Sequence, residues 1–224
     1  MADVWIVVPA YQEAGAIEAT LRGLFAYLPN VVVVDDGSSD ATAKIARRAG
    51  VDVVRHAVNL GQGAALATGI EYALRRGADY VCTFDADGQH DPATIDFMYA
   101  RLVEGGADVA LGSRFLGSTI GMSRLRRLFL RLAVLVTRLH TGLALSDTHN
   151  GLRMFSRRAA ERLELRQARM AHGSEILHEI ARAGMPYVEV PTTIAYTAYS
   201  RRKGQSLLNS VKIVLDLFYA AWSH

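Results

Sequence analysis

The sequence predicts an α/β protein with a mostly parallel sheet flanked by helices on both faces, and three observations predict it. Short β-branched runs alternate with segments of helical periodicity. One apolar run, Tyr80 to Phe84, stops abruptly in two acids, Asp85 and Asp87. The ends of the other early runs are polar too, at Tyr11-Gln12-Glu13 and Asp35-Asp36-Gly37-Ser38. On such sheets ligands bind outside the carboxyl ends of the strands, so three separated segments are expected to converge on one rim.

Val4 to Val8 is the first expected strand, and Ile17, Leu21, Leu24, Phe25 and Leu28 recur at helix spacing behind it. Val31 to Val34 and Val51 to Val54 are the next two strands. Ala64 to Leu74 has helical periodicity, and Tyr80 to Phe84 and Val109 to Leu111 complete the strands of the first half. Beyond Ser113 the expected order is a basic helix, a turn over Asp147 to Arg153, two further helices, and a short extended pair between Tyr187 and Tyr196. An ion pair between Asp147 and Arg153 is expected to shape that turn, with His149 hydrogen-bonding locally. No repeat, low-complexity tract or Pro/Ser-rich linker interrupts the chain, so residues 1–224 are expected to form one domain.

Half of the 224 residues are hydrophobic, enough for a sizeable core, and the formal net charge is +3. The charge is unevenly spread. From Val109 to Ser146 there is no acid, but there are six arginines, Arg114, Arg124, Arg126, Arg127, Arg131 and Arg138. Such an excess suits a nucleotide, a nucleic acid or an anionic membrane surface. A nucleic acid is not expected, because no aromatic stacking pattern accompanies the basic stripe. Cys82 is the sole cysteine and lies in an apolar strand, so no internal disulfide forms and a reducing compartment is expected. The start, Met1-Ala2-Asp3-Val4-Trp5, lacks the basic region of a signal peptide, so export is not expected. Arg131 and Arg138, and later Lys212 and Asp216, interrupt the only stretches approaching the roughly 18 apolar residues of a spanning helix.

Alternate side chains of an extended chain share a face. Asp85 and Asp87 therefore aim at one point beyond the strand end, with Gln89 close behind. Paired carboxylates of this kind hold Mg²⁺ or Mn²⁺, whose shell is completed by substrate phosphate oxygens and water, so a diphosphate substrate is expected. The Gly-x-Gly-x-x-Gly of dinucleotide-binding folds is missing after the first strand, and no Gly-x-x-x-x-Gly-Lys-Ser/Thr exists. Asp35 and Asp36 would repel a bare pyrophosphate and suit a ring N–H or sugar hydroxyls instead. Asp40, and Asp91 before Pro92, are expected to cap helices. His90 is expected to hydrogen-bond behind the metal loop rather than to bind the metal.

Taken together, Val8-Pro9-Ala10-Tyr11-Gln12-Glu13, Val33 to Asp40, Asn59-Leu60-Gly61-Gln62-Gly63, Asp85-Ala86-Asp87-Gly88-Gln89-His90, Gly112-Ser113-Arg114 and Gly204-Gln205-Ser206 resemble the motifs of family-2 glycosyltransferases, in the same order. The branch they resemble is that of the dolichyl-phosphate mannose synthases and related polyprenyl-phosphate glycosyltransferases. The resemblance implies an A-type glycosyltransferase fold with a mostly parallel, Rossmann-like sheet, a UDP- or GDP-sugar donor, a divalent metal and inversion at the anomeric carbon. It places Pro9, Tyr11, Glu13, Asp35, Asp36, Gly61, Asp85 and Ala86 at the nucleotide-sugar, and Asp85, Asp87 and Gln89 at the metal. It places Arg114 near the transferred sugar and acceptor phosphate, and Arg202 and Lys203 in a late basic loop over the phosphates. Residues 1–113 would then form the donor and metal half and residues 114–224 the acceptor half. Two departures stand out: Gln12 where Asn is usual, and Gly88 in place of a larger residue.

The expected acceptor is a polyprenyl phosphate. Arg124, Arg127, Arg131 and Arg138 share a helical face, and Leu128, Leu132, Leu135, Phe129 and Val136 make the rest of that helix apolar. A helix of this kind lies in a membrane interface. The expected location is therefore the cytoplasmic face of a membrane, held peripherally, with a small membrane protein as a further partner. The apolar end, Val214 to Trp222, is expected to contribute to the same contact. Two alternatives remain at this stage. A saccharide-hydroxyl acceptor would need a base, for which Glu175 is the candidate; the other is a non-catalytic sugar-nucleotide-binding subunit.

Overall fold

The computed structural model describes residues 3–25, 30–165 and 172–196. Arg202, Lys203, the Gly204-Gln205-Ser206 motif and the apolar stretch from Val214 lie outside the described residues.

Seven strands and seven helices are described. The first half alternates strictly: β1 (Val4–Ala10), α1 (Ile17–Phe25), β2 (Val31–Asp35), α2 (Thr42–Arg48), β3 (Asp52–Arg55), α3 (Gln62–Arg75), β4 (Tyr80–Thr83) and α4 (Thr94–Glu104). Then follow β5 (Val109–Ile120), α5 (Arg124–Thr141), β6 (Arg153–Ser156), α6 (Arg157–Arg162), α7 (His172–Arg182) and β7 (Tyr187–Ala195). All strands join one sheet in the order β3-β2-β1-β4-β6-β5-β7, so both halves of the chain contribute to it. Every neighbouring pair is parallel except those made by β6, which runs antiparallel between β4 and β5.

Strand alternation explains why both faces are covered. Val4, Ile6 and Val8 of β1 point to one side, where they pack with Ile17, Leu21 and Leu24 of α1 and Ile95, Met98 and Leu102 of α4. Trp5 and Val7 point to the other, against Leu66, Ile70 and Ala73 of α3 and Ile176, Leu177 and Ile180 of α7. Cys82 is fully buried in the first of these cores, and burial pushes its thiol pKa up. The mostly parallel sheet covered on both faces is thus as expected.

Three features of the second half differ from expectation. The strand expected over Val109 to Leu111 continues to Ile120, with a register shift between Ser113 and Ser118 where it pairs with β7. Gly117 allows this, since a Cβ there would fall 2.2 Å from the Thr192 carbonyl oxygen. The pair expected near Tyr187 to Tyr196 is one strand, β7, whose partner is β5. It is an edge strand, and edge position is what lets it carry Pro191. Arg153 to Ser156, expected to end a turn, forms β6; its partners, β4 and β5, are distant in sequence and no local pattern announces them.

The α3 helix lies directly on β1 at a glycine. A Cβ on Gly69 would stand 2.2 Å from Val7 Cγ1 and 3.1 Å from Val34 Cγ2. Gly69→Ala should therefore destabilise the fold by about 1–3 kcal/mol through overpacking, seen as a lower denaturation midpoint with an unchanged urea m-value.

Candidate functional site

The three polar strand ends do meet. The Asp36 N–H donates to the Ala10 carbonyl at 2.9 Å, the Gln12 N–H to Ser38 Oγ at 2.9 Å, and the Glu13 N–H to Thr42 Oγ1 at 2.8 Å. These bonds lock the β1–α1 loop onto the β2–α2 loop. Gln12 sits at φ 56°, the one non-glycine residue with positive φ among the described residues. Asn adopts this left-handed region more readily than Gln, which gives the Gln12 departure a backbone meaning. Its side-chain amide offsets the cost by donating to Ser39 Oγ at 2.8 Å. Pro9 is buried in β1, Tyr11 is exposed at the rim, and Glu13 is half-buried.

Asp35 and Asp36 are both buried, but they do different work. Asp35 turns inward, where Arg55 Nε lies 3.0 Å from its Oδ2 without hydrogen-bond alignment and the Ser38 N–H donates to Oδ1 at 3.2 Å. Asp36 gathers the loop after β3: His56 Nδ1 lies 2.7 Å from its Oδ1, and the N–H groups of Leu60 and Gly61 donate to Oδ1 and Oδ2 at 2.9 and 2.7 Å. Gly61, at φ 101°, is the residue before α3, so this acid also places that helix start. Asp40 receives the Thr42 and Ala14 N–H groups, and Asp91 the Ala93 N–H, but the N-caps of α2 and α4 are Ala41 and Ala93, without a side-chain cap bond, so both acids brace the turns before the helices rather than cap them as expected.

Beyond β4, Asp85 and Asp87 stand at the rim as expected. Asp85 Oδ2 is 3.0 Å from His90 Nε2, and Gln62 Nε2 at the start of α3 reaches Asp85 Oδ1 at 3.3 Å. The Ala86 carbonyl accepts from Thr20 Oγ1 of α1 at 3.0 Å, pinning the loop between the two acids. The Gln89 N–H donates to Asp87 Oδ1 at 3.1 Å. Gly88 has φ +70°, so glycine suits this loop on backbone grounds. Burial first, and then the neighbouring Asp85 charge, push the Asp87 pKa up to about 6. His90 bonds to Asp85 from behind, in keeping with its expected supporting role.

The donor set fits a hard cation. The Asp85 charge adds to burial in raising the Asp87 pKa, and the buried Gln89 Nε2, a donor suited to an oxygen rather than to the cation itself, has no partner among the described residues. No group of three or more His, Cys, Asp or Glu side chains gathers for metal binding among the described residues. The protein thus offers two carboxylates and an amide, which is the sparse arrangement that leaves a shell to be completed by phosphate oxygens and water.

The turn over Asp147 to Arg153 lies against these acids, a placement the sequence did not reveal. A Cβ on Gly151 would fall 2.3 Å from Asp85 Oδ2, so only glycine lets the turn pass. Thr83 Oγ1 donates to the Gly151 carbonyl at 2.7 Å. The expected Asp147–Arg153 ion pair does not form. Asp147 instead pairs with Arg114, whose Nε donates to Oδ2 at 2.6 Å and whose N–H donates to the same atom at 3.0 Å. Arg153 donates to the carbonyls of Asn150 and Gly173, the latter at the start of α7, and burial lowers its pKa to about 10 against the pull of Asp85 and Asp147. The reason is topological: Asp147 lies beside β5, whereas Arg153 enters β6. His149 bonds to the neighbouring Thr148, as expected.

Arg114 is buried and heavily engaged. Besides Asp147, it donates through Nη1 to Tyr196 Oη at 2.9 Å and through Nη2 to the His149 carbonyl. Glu189 of β7 braces the same turn by accepting from the Ser146 and Asp147 N–H groups. Arg114 also borders a cavity of about 320 Å³ between the outer part of β5 and α5, lined too by Phe115, Ser118, Thr119, Arg127 and Arg131. Glu175 lies half-buried in the first turn of α7, whose start is tied to Arg153. Tyr196, Gly151, His56 and Glu189 were missed from sequence; only Gly151 carried a signal, as part of the Asp-x-x-x-Gly-x-Arg turn.

A family model described as Glycosyl transferase family 2 matches residues 5–164. The chain is 30% identical to the UDP-N-acetylglucosamine–dolichyl-phosphate N-acetylglucosaminyltransferase of Methanococcus voltae, over 97% of this chain and 96% of that one. It is 29% identical to the undecaprenyl-phosphate mannosyltransferase of Micrococcus luteus, over 92% and 87%. Among solved structures it resembles glucosyl-3-phosphoglycerate synthase of Mycobacterium tuberculosis, crystallised with Mn²⁺, UDP and glucosyl-3-phosphoglycerate. The TM-score is 0.72 at 19% identity, covering 98% of this chain and 79% of that one, a likeness of fold.

The raised Asp87 pKa has a consequence for stability without metal. The folded state holds this proton up to about pH 6, while the unfolded chain releases it near the ordinary value of 3.8. Stability is therefore greatest below the unfolded value and falls as pH rises between the two, by on the order of 2 kcal/mol. Urea unfolding in chelator at pH 4 and pH 7 should show this loss in the wild type and not in Asp87→Asn.

Proposed function

The chain belongs to glycosyl transferase family 2 and is a glycosyltransferase of A-type fold, and on that premise we propose that it moves one sugar, with inversion, from a nucleotide diphosphate to a polyprenyl phosphate at the cytoplasmic face of a membrane. The observation that carries the acceptor reading is the surface of α5. Leu125, Leu128, Leu132, Leu135 and Leu139 are all exposed, while Ala133, Val134 and Thr137 face the protein. The helix thus has three faces, a small-residue face inward, an arginine face along Arg124, Arg127, Arg131 and Arg138, and a leucine ridge outward. Leucines left in water beside arginines suit a lipid surface with anionic headgroups, and the arginine-lined cavity next to them suits a phosphate. No helix among the described residues is long and apolar enough to cross a membrane. The names of the Methanococcus and Micrococcus relatives, both lipid-phosphate sugar transferases, support the same acceptor class.

The donor would lie along the rim, with its base toward Asp36 and Tyr11 and its diphosphate at Asp85 and Asp87. Those two residues, with Gln89, would hold Mg²⁺ or Mn²⁺, which when bound stabilises charge on the departing nucleoside diphosphate. A phosphate monoester has a second pKa of about 6, so it attacks the anomeric carbon as an anion with no protein base. The bond to the diphosphate breaks as the new sugar–phosphate bond forms, and the electron pair leaves with the nucleotide. The work of the chain is positioning and charge. Arg127 and Arg131 supply charge at the cavity, and Arg114, braced by Asp147, shapes its wall.

A saccharide hydroxyl would instead have to lose a proton to a carboxylate, and Glu175 separates the two. With the cognate donor, Mn²⁺ and a polyprenyl phosphate, Glu175→Gln should retain transfer within about tenfold, whereas loss by about 10²-fold or more would mark general-base chemistry. A titration of UDP- and GDP-sugars should show metal-dependent binding of one donor, abolished in Asp87→Ala. Failure of every donor to bind the wild type would refute the transferase reading. In flotation with anionic vesicles, the triple change Leu128→Ser, Leu132→Ser, Leu135→Ser should cut membrane binding at least tenfold, since each buried leucine contributes about 1.5–3 kcal/mol.

A further inference from the structure

The loop after β3 carries a buried histidine that the donor chemistry above does not use. His56 follows the strand directly, and its N–H donates to the Asp35 carbonyl at 2.9 Å. Its side chain is 9% exposed and lies between two partners: Nδ1 is 2.7 Å from Asp36 Oδ1, and Nε2 is 3.0 Å from Thr68 Oγ1 of α3. The partners dictate the tautomer. A carboxylate only accepts, so the ring proton sits on Nδ1 and Nε2 accepts from the Thr68 hydroxyl.

The consequence for Asp36 follows from counting lone pairs. Each carboxylate oxygen has two. Oδ1 receives His56 and the Leu60 N–H, and Oδ2 receives the Gly61 N–H, with no second donor to Oδ2 among the described residues. The Asp36 side chain is also only 3% exposed, so it cannot turn freely to suit whatever arrives. Gly37 shuts the loop against it, since a Cβ there would meet the Val58 carbonyl carbon at 2.6 Å.

We propose that His56, backed by Thr68, is a positioning residue for donor selection: it fixes the Asp36 carboxylate so that the second lone pair of Oδ2 is presented to a ring N–H of the nucleobase. This rests on the nucleotide-sugar reading of the rim. An acceptor held in one orientation favours bases with a ring N–H on the pairing edge, uracil and guanine, over cytosine and adenine, whose corresponding ring nitrogen is itself an acceptor. A buried acceptor facing an acceptor loses its partner altogether, which is the arrangement that discriminates strongly. His56 touches no substrate; it acts through Asp36.

The test is calorimetric binding of UDP, GDP, CDP and ADP with Mn²⁺ to the wild type, His56→Phe, His56→Asn and Thr68→Val, with steady-state kinetics using the sugar donor. His56→Phe should weaken the preferred nucleotide by about 10- to 100-fold, the loss of a hydrogen bond to a charged group, and narrow its advantage over CDP and ADP. It should raise the donor KM while leaving kcat at saturation within about threefold. His56→Asn, which keeps an N–H donor toward Asp36, should recover most of the affinity. Thr68→Val, which leaves both His56 and Asp36 in place, should shift affinity in the same direction by a smaller factor, and it decides the matter if His56→Phe does not fold. A wild-type Kd in folded His56→Phe, or an equal loss for all four nucleotides with no rescue by Asn, overturns the positioning role while leaving the donor reading intact. Absence of nucleotide binding in the wild type overturns both.

Discussion

Asp85 and Asp87 repel each other at a half-buried strand end, and the surrounding structure holds them there. Burial and the neighbouring Asp85 charge raise the Asp87 pKa, and outward movement of either side chain would relieve that cost. Here movement is blocked from several directions. Thr20 of α1 holds the Ala86 carbonyl, Gln62 of α3 and His90 hold Asp85, and Gly151 closes over it. The buried guanidinium of Arg153 lends compensating charge without reaching the acids as a partner, its own bonds going to backbone carbonyls. The two acids are thus held close together by contacts from several elements.

The second constraint is the buried pair of Arg114 and Asp147. A buried ion pair contributes little net stability, since desolvation offsets attraction, but its geometry is exacting. Asp147 accepts from both the backbone and the side chain of Arg114, so the pair lies where β5 shifts register against β7 and where the turn over Asp147 to Arg153 begins. Glu189 and Tyr196 extend the same network to β7 and the residue after it. Through this network the strand bearing the cavity wall and the turn that covers Asp85 are placed relative to one another. An arginine that appears in a sequence motif as a direct phosphate contact is, in this arrangement, first a structural tie.

The face α5 turns outward follows from what it packs upon. Close approach to the protein is made by Ala133, Val134 and Thr137, residues small enough to bring the helix near. Leu130 is half-buried on the same side, whereas Leu125, Leu128, Leu132, Leu135 and Leu139 form the outer ridge. Amphipathicity in this helix therefore does not mean an apolar face buried and a charged face in water.

Much of the donor half was legible in the chain, for a physical reason. Parallel strands buried on both faces read as apolar runs, their ends read as sudden polarity, and the loops that follow are contiguous, so Asp36, Asp85, Asp87 and Gln89 could be placed at one rim from order alone. The acceptor half was less legible because its decisive contacts join residues far apart. The pairing of Arg114 with Asp147 rather than Arg153 with Asp147, the insertion of β6 between β4 and β5, and the union of β7 with β5 all depend on which strands become neighbours. No local propensity encodes that choice. His56 is the sharpest instance: alone in a sequence it is one more histidine, and only the packing of β3, α3 and the end of β2 turns it toward Asp36. Periodicity and chemistry along the chain thus established the sheet, the rim and the carboxylates, whereas the direction of each side chain and the partner of each charge were settled by tertiary packing, because these depend on distances between segments that sequence order does not contain.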